Sequence, residues 1–308
     1  MRWAPSARFL GLGLATALFL TGPLSAQEAK PYEPARGQAG KDVVWIPTPD
    51  GLVTRMLRLA RVSPADRVVD LGAGDGKIVI AAAKAFGARA LGLEYDAKLV
   101  EHARRNAQQA GVADRVEFSQ ADIFEADFTN ADVVTMYLLP DLNLRLRPTL
   151  LAMKPGTRLV SHHFTMGNWQ ADERSWVENR PAYLWIVPAN AGGAWQASFG
   201  ERGSNAADLV LEQEFQKLKG SLEFGAIRTS LRNPALEGSR IRFGFTDAEG
   251  EVRDVVATVV GNRMEGTVTG GQGPTAFVAR RQHPAPPIGG SGPASGDEFT
   301  NALQVFGE

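Results

Sequence analysis

A glycine-rich turn in the first third of the chain has residues suited to holding a small ligand. Two aspartates and three glycines fall between an apolar stretch and an alanine-rich one: Asp70, Gly72, Gly74, Asp75 and Gly76. Glycine lets the backbone approach a ligand closely, so a strand, a glycine turn and a helix in this order commonly bind a nucleotide. The third glycine comes too early for the dinucleotide pattern G-x-G-x-x-G, and Asp75 would repel a pyrophosphate. The turn therefore disfavours NAD and tolerates a cationic ligand.

Two carboxylates further along the chain fit the remaining parts of a nucleoside. Glu94 lies eighteen residues beyond Gly76, where a carboxylate can accept both hydroxyls of a ribose. Asp122, in the segment SQADIF, could accept a hydrogen bond from the exocyclic amine of adenine. Each acid taken alone is explained equally well as a helix cap or a solvated strand end. Together with the glycine turn, the two acids specify an adenosine.

The elements that must position these residues alternate along the chain. The pattern predicts strands at 67–71, 89–94, 115–119, 132–138 and 157–163, helices at 77–86 and 97–110, and a leucine-rich helical stretch, NLRLRPTLLAM. Such alternation predicts an α/β fold, a parallel sheet with helices on both faces. The ligand of an open sheet of this kind lies at the carboxyl ends of the strands, where the glycines and acids fall.

Over about residues 42–170 these motifs resemble the class I S-adenosylmethionine-dependent methyltransferases. The segments that carry the resemblance are VVDLGAGDG, LGLEYD, SQADIF and MKPGTRLVSH. The resemblance implies a Rossmann-like methyltransferase sheet, methyltransferase activity and S-adenosylmethionine as the cofactor. It also implies that the cofactor contacts Asp70, Gly72, Gly74, Asp75, Gly76, Glu94, Asp122 and Ile123.

A narrower resemblance comes from the segment WIPTP, which precedes the glycine turn. With DLGAGDGKIVIAAAK, it is similar to the seven-strand protein-lysine methyltransferases. The Pro-Thr-Pro loop of such enzymes closes over the methionine end of the cofactor. The resemblance thus implies that Thr48 and Pro49 contribute to the cofactor site.

The residues after the fourth strand bear on the methyl acceptor. Methyltransferases that act on glutamine or adenine amino groups usually carry Asn-Pro-Pro-Tyr here, whereas this chain has Tyr137, two leucines and Pro140. A planar amide or base is therefore disfavoured. An alkyl amine such as lysine needs no planar clamp, but it must lose its proton and its water before it can attack. Tyr137 is predicted to line the channel for that amine, and its alternative role is a packed aromatic.

Two of the four histidines stand together at the end of the fifth strand, His162 and His163. A histidine can accept a proton near neutral pH, so His162 is a candidate catalytic residue. Because side chains alternate along a strand, at most one of the two is expected to face the pocket, and a structural role is the alternative for each. A metal site is not predicted, since neighbouring strand positions cannot share one ion.

Residues 183–281 have a different character. Repeated alternation with glycine turns predicts an all-β, barrel-like domain of roughly eight short strands, which either presents substrate or is a structural appendage. Gly193, Trp195 and the distant Arg280 are weakly similar to the signature of lipocalin-like barrels, in which the cation covers the indole. Trp169 could cover the pocket, and parts of YLWIV and WQASF could form a hairpin that completes the first sheet.

The two ends of the chain have the composition of a leader and a tail. Residues 1–26 carry Arg2 and Arg8, a short apolar run and small residues ending at Ala26, which predicts a cleaved signal peptide and export to the periplasm or cell envelope. Residues 27–41 are predicted to be a flexible lead. The methyltransferase domain is placed at 42–182, and the Pro/Gly/Ser-rich residues 282–308 are predicted to be disordered.

Composition limits the alternatives. A net charge of −1 does not suggest a nucleic acid partner, and the absence of cysteine excludes disulfides and a thiol nucleophile. The sequence predicts a methyltransferase with an unknown acceptor, a protein lysine being the first candidate. A small-molecule methyltransferase, or an exported protein that binds S-adenosylmethionine or S-adenosylhomocysteine without transfer, stays open.

Overall fold

The computed structural model describes Met1, residues 32–271 and residues 273–289. Residues 2–26 of the predicted signal peptide and most of the predicted tail therefore lie outside the described residues. The described residues from Glu33 onward belong to one compact unit, which holds two β-sheets. No helix in the described ranges has both the length and the apolar character needed to cross a membrane.

The first sheet is the α/β sheet that the sequence predicts. Its seven strands are β1 (Arg67–Leu71), β2 (Arg89–Glu94), β3 (Val116–Gln120), β4 (Val133–Met136), β5 (Arg158–His162), β6 (Glu173–Val177) and β7 (Arg180–Ile186). They lie in the order β3-β2-β1-β4-β5-β7-β6, with β1 to β5 parallel and β7 antiparallel to both its neighbours. The central strands are buried on both faces, as apolar runs such as VVTM in β4 require.

Among the described residues, four helices flank this sheet: α1 (Asp50–Leu59), α2 (Lys77–Phe86), α3 (Ala97–Gln109) and α4 (Pro140–Leu151). Helix α2 begins after Gly76 and ends at Gly87, both of which have positive φ, 79° and 72°. Helix α4 begins three residues before the leucine-rich stretch, because proline fits the first turn of a helix, where its missing N–H costs nothing.

The second sheet is antiparallel throughout and nearly closed, which confirms the barrel-like prediction. Its strands are β8 (Gly193–Phe199), β9 (Asn205–Glu214), β10 (Lys217–Phe224), β11 (Ile227–Ser230), β12 (Arg232–Glu237), β13 (Arg240–Thr246), β14 (Val252–Val260), β15 (Arg263–Thr269) and β16 (Thr275–Arg281). It has nine strands in the described part of the chain, one more than predicted. Strand β11 has four residues, none buried, so it lacks the apolar alternation from which a strand can be recognised.

The cation that covers Trp195 is Arg281, not the predicted Arg280. The Arg281 guanidinium lies 4.0 Å from the indole centroid and donates to the carbonyls of Gly192 and Asn190. Side chains alternate along β16, and Arg280 is exposed on the other face. The lipocalin-like signature thus has the right residue types with an offset of one position.

Trp169 joins the two sheets and does not cover the ligand cleft. It is fully buried, and its ring stacks on Phe215, in the β9–β10 turn, at 5.7 Å between centroids. Its indole N–H donates to Gln216 Oε1 at 3.1 Å, and its carbonyl accepts from the Trp185 indole at 2.7 Å. The segment YLWIV belongs to the first sheet through β7, whereas WQASF belongs to the second through β8. The hairpin that completes the first sheet is β6–β7.

Candidate active site

A cleft lies at the carboxyl ends of β1, β2 and β4. Nine of the predicted site residues line it: Thr48, Asp70, Gly72, Gly74, Asp75, Glu94, Asp122, Ile123 and Tyr137. The fold therefore brings together residues that are up to 89 positions apart in the sequence, from Thr48 to Tyr137. This gathering follows from the parallel sheet, because strands of one direction end at one edge.

Three predicted residues lie outside the wall of the cleft. Pro49 precedes helix α1 as its N-terminal cap. Gly76 faces the protein interior, where an added Cβ would lie 2.5 Å from the ring of Phe118. His162 is 2% exposed and packs behind the wall. The third glycine of the turn is thus required by helix–strand packing.

The glycine turn leaves room along the floor of the cleft. Gly72 and Gly74 have φ values of 80° and 54°, which disfavour any residue with a Cβ. An added Cβ at Gly74 would lie 2.4 Å from Trp45 Nε1. Gly74 therefore serves two purposes: it exposes backbone to the cleft and it makes room for an indole that packs across the turn.

The acids of the cleft are arranged for a ligand with hydroxyls and positive charge. Glu94 accepts from the N–H of Gly74 at 2.9 Å and from that of Asp96 at 3.0 Å, one bond at each oxygen, which orients the carboxylate. Asp70 is buried and accepts from Thr135 Oγ1 at 2.6 Å. Burial, together with the charges of Asp75 and Glu94, raises the pKa of Asp70 to about 7. A cationic group bound nearby would stabilise the ionised form.

The end of the cleft at Asp122 contains residues that the sequence analysis missed. Asp122 forms an ion pair with Lys41 at 2.5 Å and accepts from the N–H of Phe124 at 3.0 Å. The hydrogen bond from Lys41 is the main reason that the pKa of Asp122 is lowered. Lys41 also lies 4.7 Å from the ring centroid of Tyr95. No pattern around Lys41 marks it as a site residue, because it lies in a Gly- and Pro-containing stretch without periodicity.

Residues 37–48, which we call the cover segment, cross the cleft. Two backbone hydrogen bonds fold the segment back on itself, from Gly37 N to Trp45 O and from Trp45 N to Gln38 O, both 2.9 Å. Within the segment, Lys41 pairs with Asp122 and Trp45 packs against Gly74. At its C-terminal end, Thr48 Oγ1 lies 3.0 Å from His162 Nδ1 in a buried hydrogen bond.

Part of the cleft wall is apolar and is lined by Tyr137, Leu138, Leu139, Leu142 and Phe164; we call it the apolar mouth. The Tyr137 ring stacks on His162 with centroids 3.8 Å apart. Burial, followed by the charges of His163 and Arg180, lowers the pKa of His162 to about 3. His162 is therefore neutral and holds Thr48 and Tyr137 in place. His163, at a φ of 69°, packs its ring against Phe164 at 4.8 Å.

The cleft has the donors, acceptors and space that an adenosine with a cationic sulfonium and an amino group requires. Gly72 and Gly74 leave space along the floor, and the carboxyl groups of Asp70, Glu94 and Asp122 line the same cleft. Together with the strand order, this site defines an S-adenosylmethionine-dependent methyltransferase.

Comparison with known proteins leads to the same class. A family model for the ANTKMT methyltransferase domain matches residues 70–173. A protein-lysine N-methyltransferase of Saccharolobus islandicus is 42% identical over 151 residues, which cover 47% of this chain and 94% of that protein. The chain belongs to the methyltransferase family of which this archaeal protein is a member.

Two further matches are to a longer mouse protein and to a solved structure. The adenine nucleotide translocase lysine N-methyltransferase of Mus musculus is 35% identical over 119 residues, covering 38% of this chain and 52% of the mouse protein. The chain thus spans about half of that relative. A crystal structure of an RNA methyltransferase from Salinibacter ruber with S-adenosylhomocysteine has 52% identity, a TM-score of 0.46, and coverage of 46% of this chain and 94% of that one.

Proposed function

We propose that this methyltransferase transfers the methyl group to the side-chain amine of a protein lysine. The observation that carries the proposal is the apolar mouth, where Tyr137, Leu138 and Leu139 stand in place of a planar amide clamp. The 42% identity to an archaeal protein-lysine N-methyltransferase supports it.

The residues of the chain hold the reactants and keep water out. Bound S-adenosylmethionine supplies a methyl group that is already activated by the sulfonium, so no covalent enzyme intermediate is needed. Glu94 and Asp122 would hold the nucleoside, and Asp70 would face its positive charge. Positioning of this kind can contribute ~7 to 11 kcal/mol to lowering a barrier.

The acceptor amine must reach the mouth without its proton. Apolar surroundings disfavour the ammonium form and so lower the pKa of a lysine that enters. His162 does not serve as the base, because its Nδ1 is engaged by Thr48 and its ring lies behind Tyr137. The proton therefore leaves to solvent as the amine enters, and the mouth selects the neutral form.

The proposal is tested by measuring whether a labelled methyl group is transferred to protein or to small molecules. Purified protein is incubated with methyl-labelled S-adenosylmethionine and either total cell protein or a protein-free metabolite extract, and the labelled protein is hydrolysed to amino acids. Label in methylated lysines is the expected result. Label confined to metabolites would instead establish the small-molecule methyltransferase, the rival that the same apolar mouth allows.

We also propose that the chain is exported and cleaved near Ala26. The charged start, the apolar run of residues 9–20 and the small residues before Gln27 support the proposal. Mass spectrometry of the protein from fractionated cells is expected to find a mature N-terminus near Gln27 outside the cytosol. A full-length chain in the cytosolic fraction would reject it.

A further inference from the structure

The cover segment forms a small hairpin whose tip lies over one end of the cleft. A β-bridge between Ala39 and Val44 joins its two arms, and the N–H of Gly40 donates to the carbonyl of Val43 at 3.0 Å. We call residues 40–43 the tip. All four tip residues line the cleft, so the tip forms part of the wall at this end.

Lys41 connects the tip to Asp122, the predicted acceptor for the adenine amine. The Lys41 ammonium lies 2.5 Å from Asp122 Oδ2, and Asp122 Oδ1 accepts from the N–H of Phe124 at 3.0 Å. The same ammonium lies 4.7 Å from the ring centroid of Tyr95, an exposed residue that also lines the cleft. A purine base would use the same two features, an acceptor for its amine and an aromatic face for stacking. Lys41 therefore occupies the place at which the adenine is predicted to bind.

The base of the hairpin is attached differently from the tip. Trp45 packs across the glycine turn, and Thr48 is buried with its hydroxyl bonded to His162. The ion pair that attaches the tip is partly exposed, at 34% for the Lys41 side chain and 17% for that of Asp122. Ion pairs that solvent reaches contribute little to stability and are weakened by salt. The tip can therefore lift while the base of the hairpin stays in place.

We propose that Lys41 is a latch that holds the tip over this end of the cleft and is displaced when S-adenosylmethionine binds. The adenine amine takes the place of the ammonium at Asp122, and the base takes its place beside Tyr95. Because one donor replaces another at the same carboxylate, Asp122 keeps a partner in both states. The inference concerns entry of the cofactor and does not depend on which acceptor is methylated.

The test measures the rates at which the full chain binds and releases S-adenosylhomocysteine, followed by stopped-flow tryptophan fluorescence. This ligand has the adenosine without the sulfonium charge, so salt has little effect on its approach to the cleft. Lys41→Met removes the ammonium and keeps the apolar part of the side chain. Lys154→Met is the matched control, because Lys154 forms an ion pair of the same length, 2.5 Å, with Asp132, which precedes β4 at the opposite edge of the sheet.

Lys41→Met is expected to raise the association rate constant about two- to fivefold, the range for loss of an exposed ion pair, without changing the dissociation rate constant. The Kd should fall by the same factor. Added salt should speed association with the wild type and leave association with Lys41→Met unchanged. Lys154→Met should behave as the wild type does in each measurement.

A second variant shows whether Lys41 acts through Asp122. Asp122→Asn removes the charge with which Lys41 pairs and keeps an oxygen that can accept from the N–H of Phe124. Adding Lys41→Met to Asp122→Asn should then leave the association rate constant unchanged.

The proposal is overturned if Lys41→Met raises the Kd, because Lys41 would then help to hold the bound cofactor. An association rate constant equal to that of the wild type would also overturn it, since the tip would then not limit entry. The same conclusion follows if Lys41→Met speeds association equally in the Asp122→Asn background, because the ammonium would then act without its partner.

Discussion

The carboxyl of Asp70 has a protonation equilibrium that differs between the folded and unfolded chain. Its pKa is about 7 in the folded chain, against an ordinary value of 3.8, mainly because it is buried. The folded state therefore keeps a proton that the unfolded chain releases, and the stability associated with that proton is lost as the pH rises through about 7. Asp70→Asn removes the ionisation and retains an oxygen to accept from Thr135.

We therefore predict that Asp70→Asn raises the melting temperature at about pH 8 and has little effect near pH 3, where the proton is bound in the folded state and largely bound in the unfolded one. The stabilisation at the higher pH should be on the order of a few kcal/mol. Calorimetric scans of both proteins at both pH values measure it. An equal change at the two pH values would show that ionisation of Asp70 is not responsible.

Glu94 tests the ribose site. Loss of its charge-assisted hydrogen bonds should weaken binding of S-adenosylhomocysteine by ~1.5 to 3 kcal/mol, or roughly ten- to a hundredfold. The variant is Glu94→Ala, and titration calorimetry measures the Kd. Glu117→Ala, which removes an exposed carboxylate from β3, is the matched control and should bind as the wild type does. An unchanged Kd for Glu94→Ala would show that Glu94 has only a structural role.

Among the elements, the cover segment and the glycine turn depend on each other. An added methyl at Gly74 would collide with the Trp45 indole, and Gly74 has positive φ. Gly111 also has positive φ, 73°, but an added Cβ there meets nothing within 4 Å. The pair Gly74→Ala and Gly111→Ala therefore separates the collision from backbone strain.

We predict that Gly74→Ala displaces the cover segment and weakens S-adenosylhomocysteine binding by at least ~10-fold, whereas Gly111→Ala binds normally. Adding Trp45→Ala to Gly74→Ala removes the collision and should recover part of the affinity. Titration calorimetry measures the affinity, and tryptophan fluorescence reports the displacement of the cover segment. Equal losses in the two alanine variants would assign the effect to strain alone.

The elements of the first sheet could be predicted because its signals are local. Helix α2 and strand β2 have the predicted bounds, since glycines mark both ends of the helix and apolar runs mark the strands. Glu94 and Asp122 could be placed because parallel strands end at one edge. The roles of Lys41 and Trp45 could not be predicted, because they depend on how the cover segment folds back over the cleft. Lys41 and its partner Asp122, for example, are 81 positions apart in the sequence.

The sequence-based predictions for the second sheet were wrong where the outcome depends on contacts between distant residues. Strand β11 has no buried residue, so it becomes a strand only through pairing with β10. Arg281 and Arg280 are indistinguishable by type, and only the register of β16 decides which of them faces Trp195. Trp169 had no sequence signal for its partner Phe215, which lies in a turn of the other sheet.

In the molecule as a whole, the junction around Phe215 is expected to make the two sheets unfold together. Phe215 is 3% exposed, stacks on Trp169 and lies in the same apolar cluster as strands of the first sheet. We predict that Phe215→Ala costs ~3 to 5 kcal/mol and splits one thermal transition into two. Scanning calorimetry with S-adenosylhomocysteine provides the check, because the ligand should then shift only one transition. A single transition in the variant would mean that other contacts couple the sheets.

The proposed function requires that one cleft holds the cofactor and delivers its methyl group to a lysine at Tyr137. The most direct test measures two quantities for each variant. One is the single-turnover rate of methyl transfer to a lysine acceptor, recorded by mass spectrometry, and the other is the Kd for S-adenosylhomocysteine. Tyr137→Phe keeps the ring on His162 and is expected to slow transfer, and Tyr137→Ala should slow it by at least ~10-fold, with both Kd values within about twofold of the wild type. Wild-type transfer rates in Tyr137→Ala, or a wild-type protein that methylates no lysine, would contradict the proposed function.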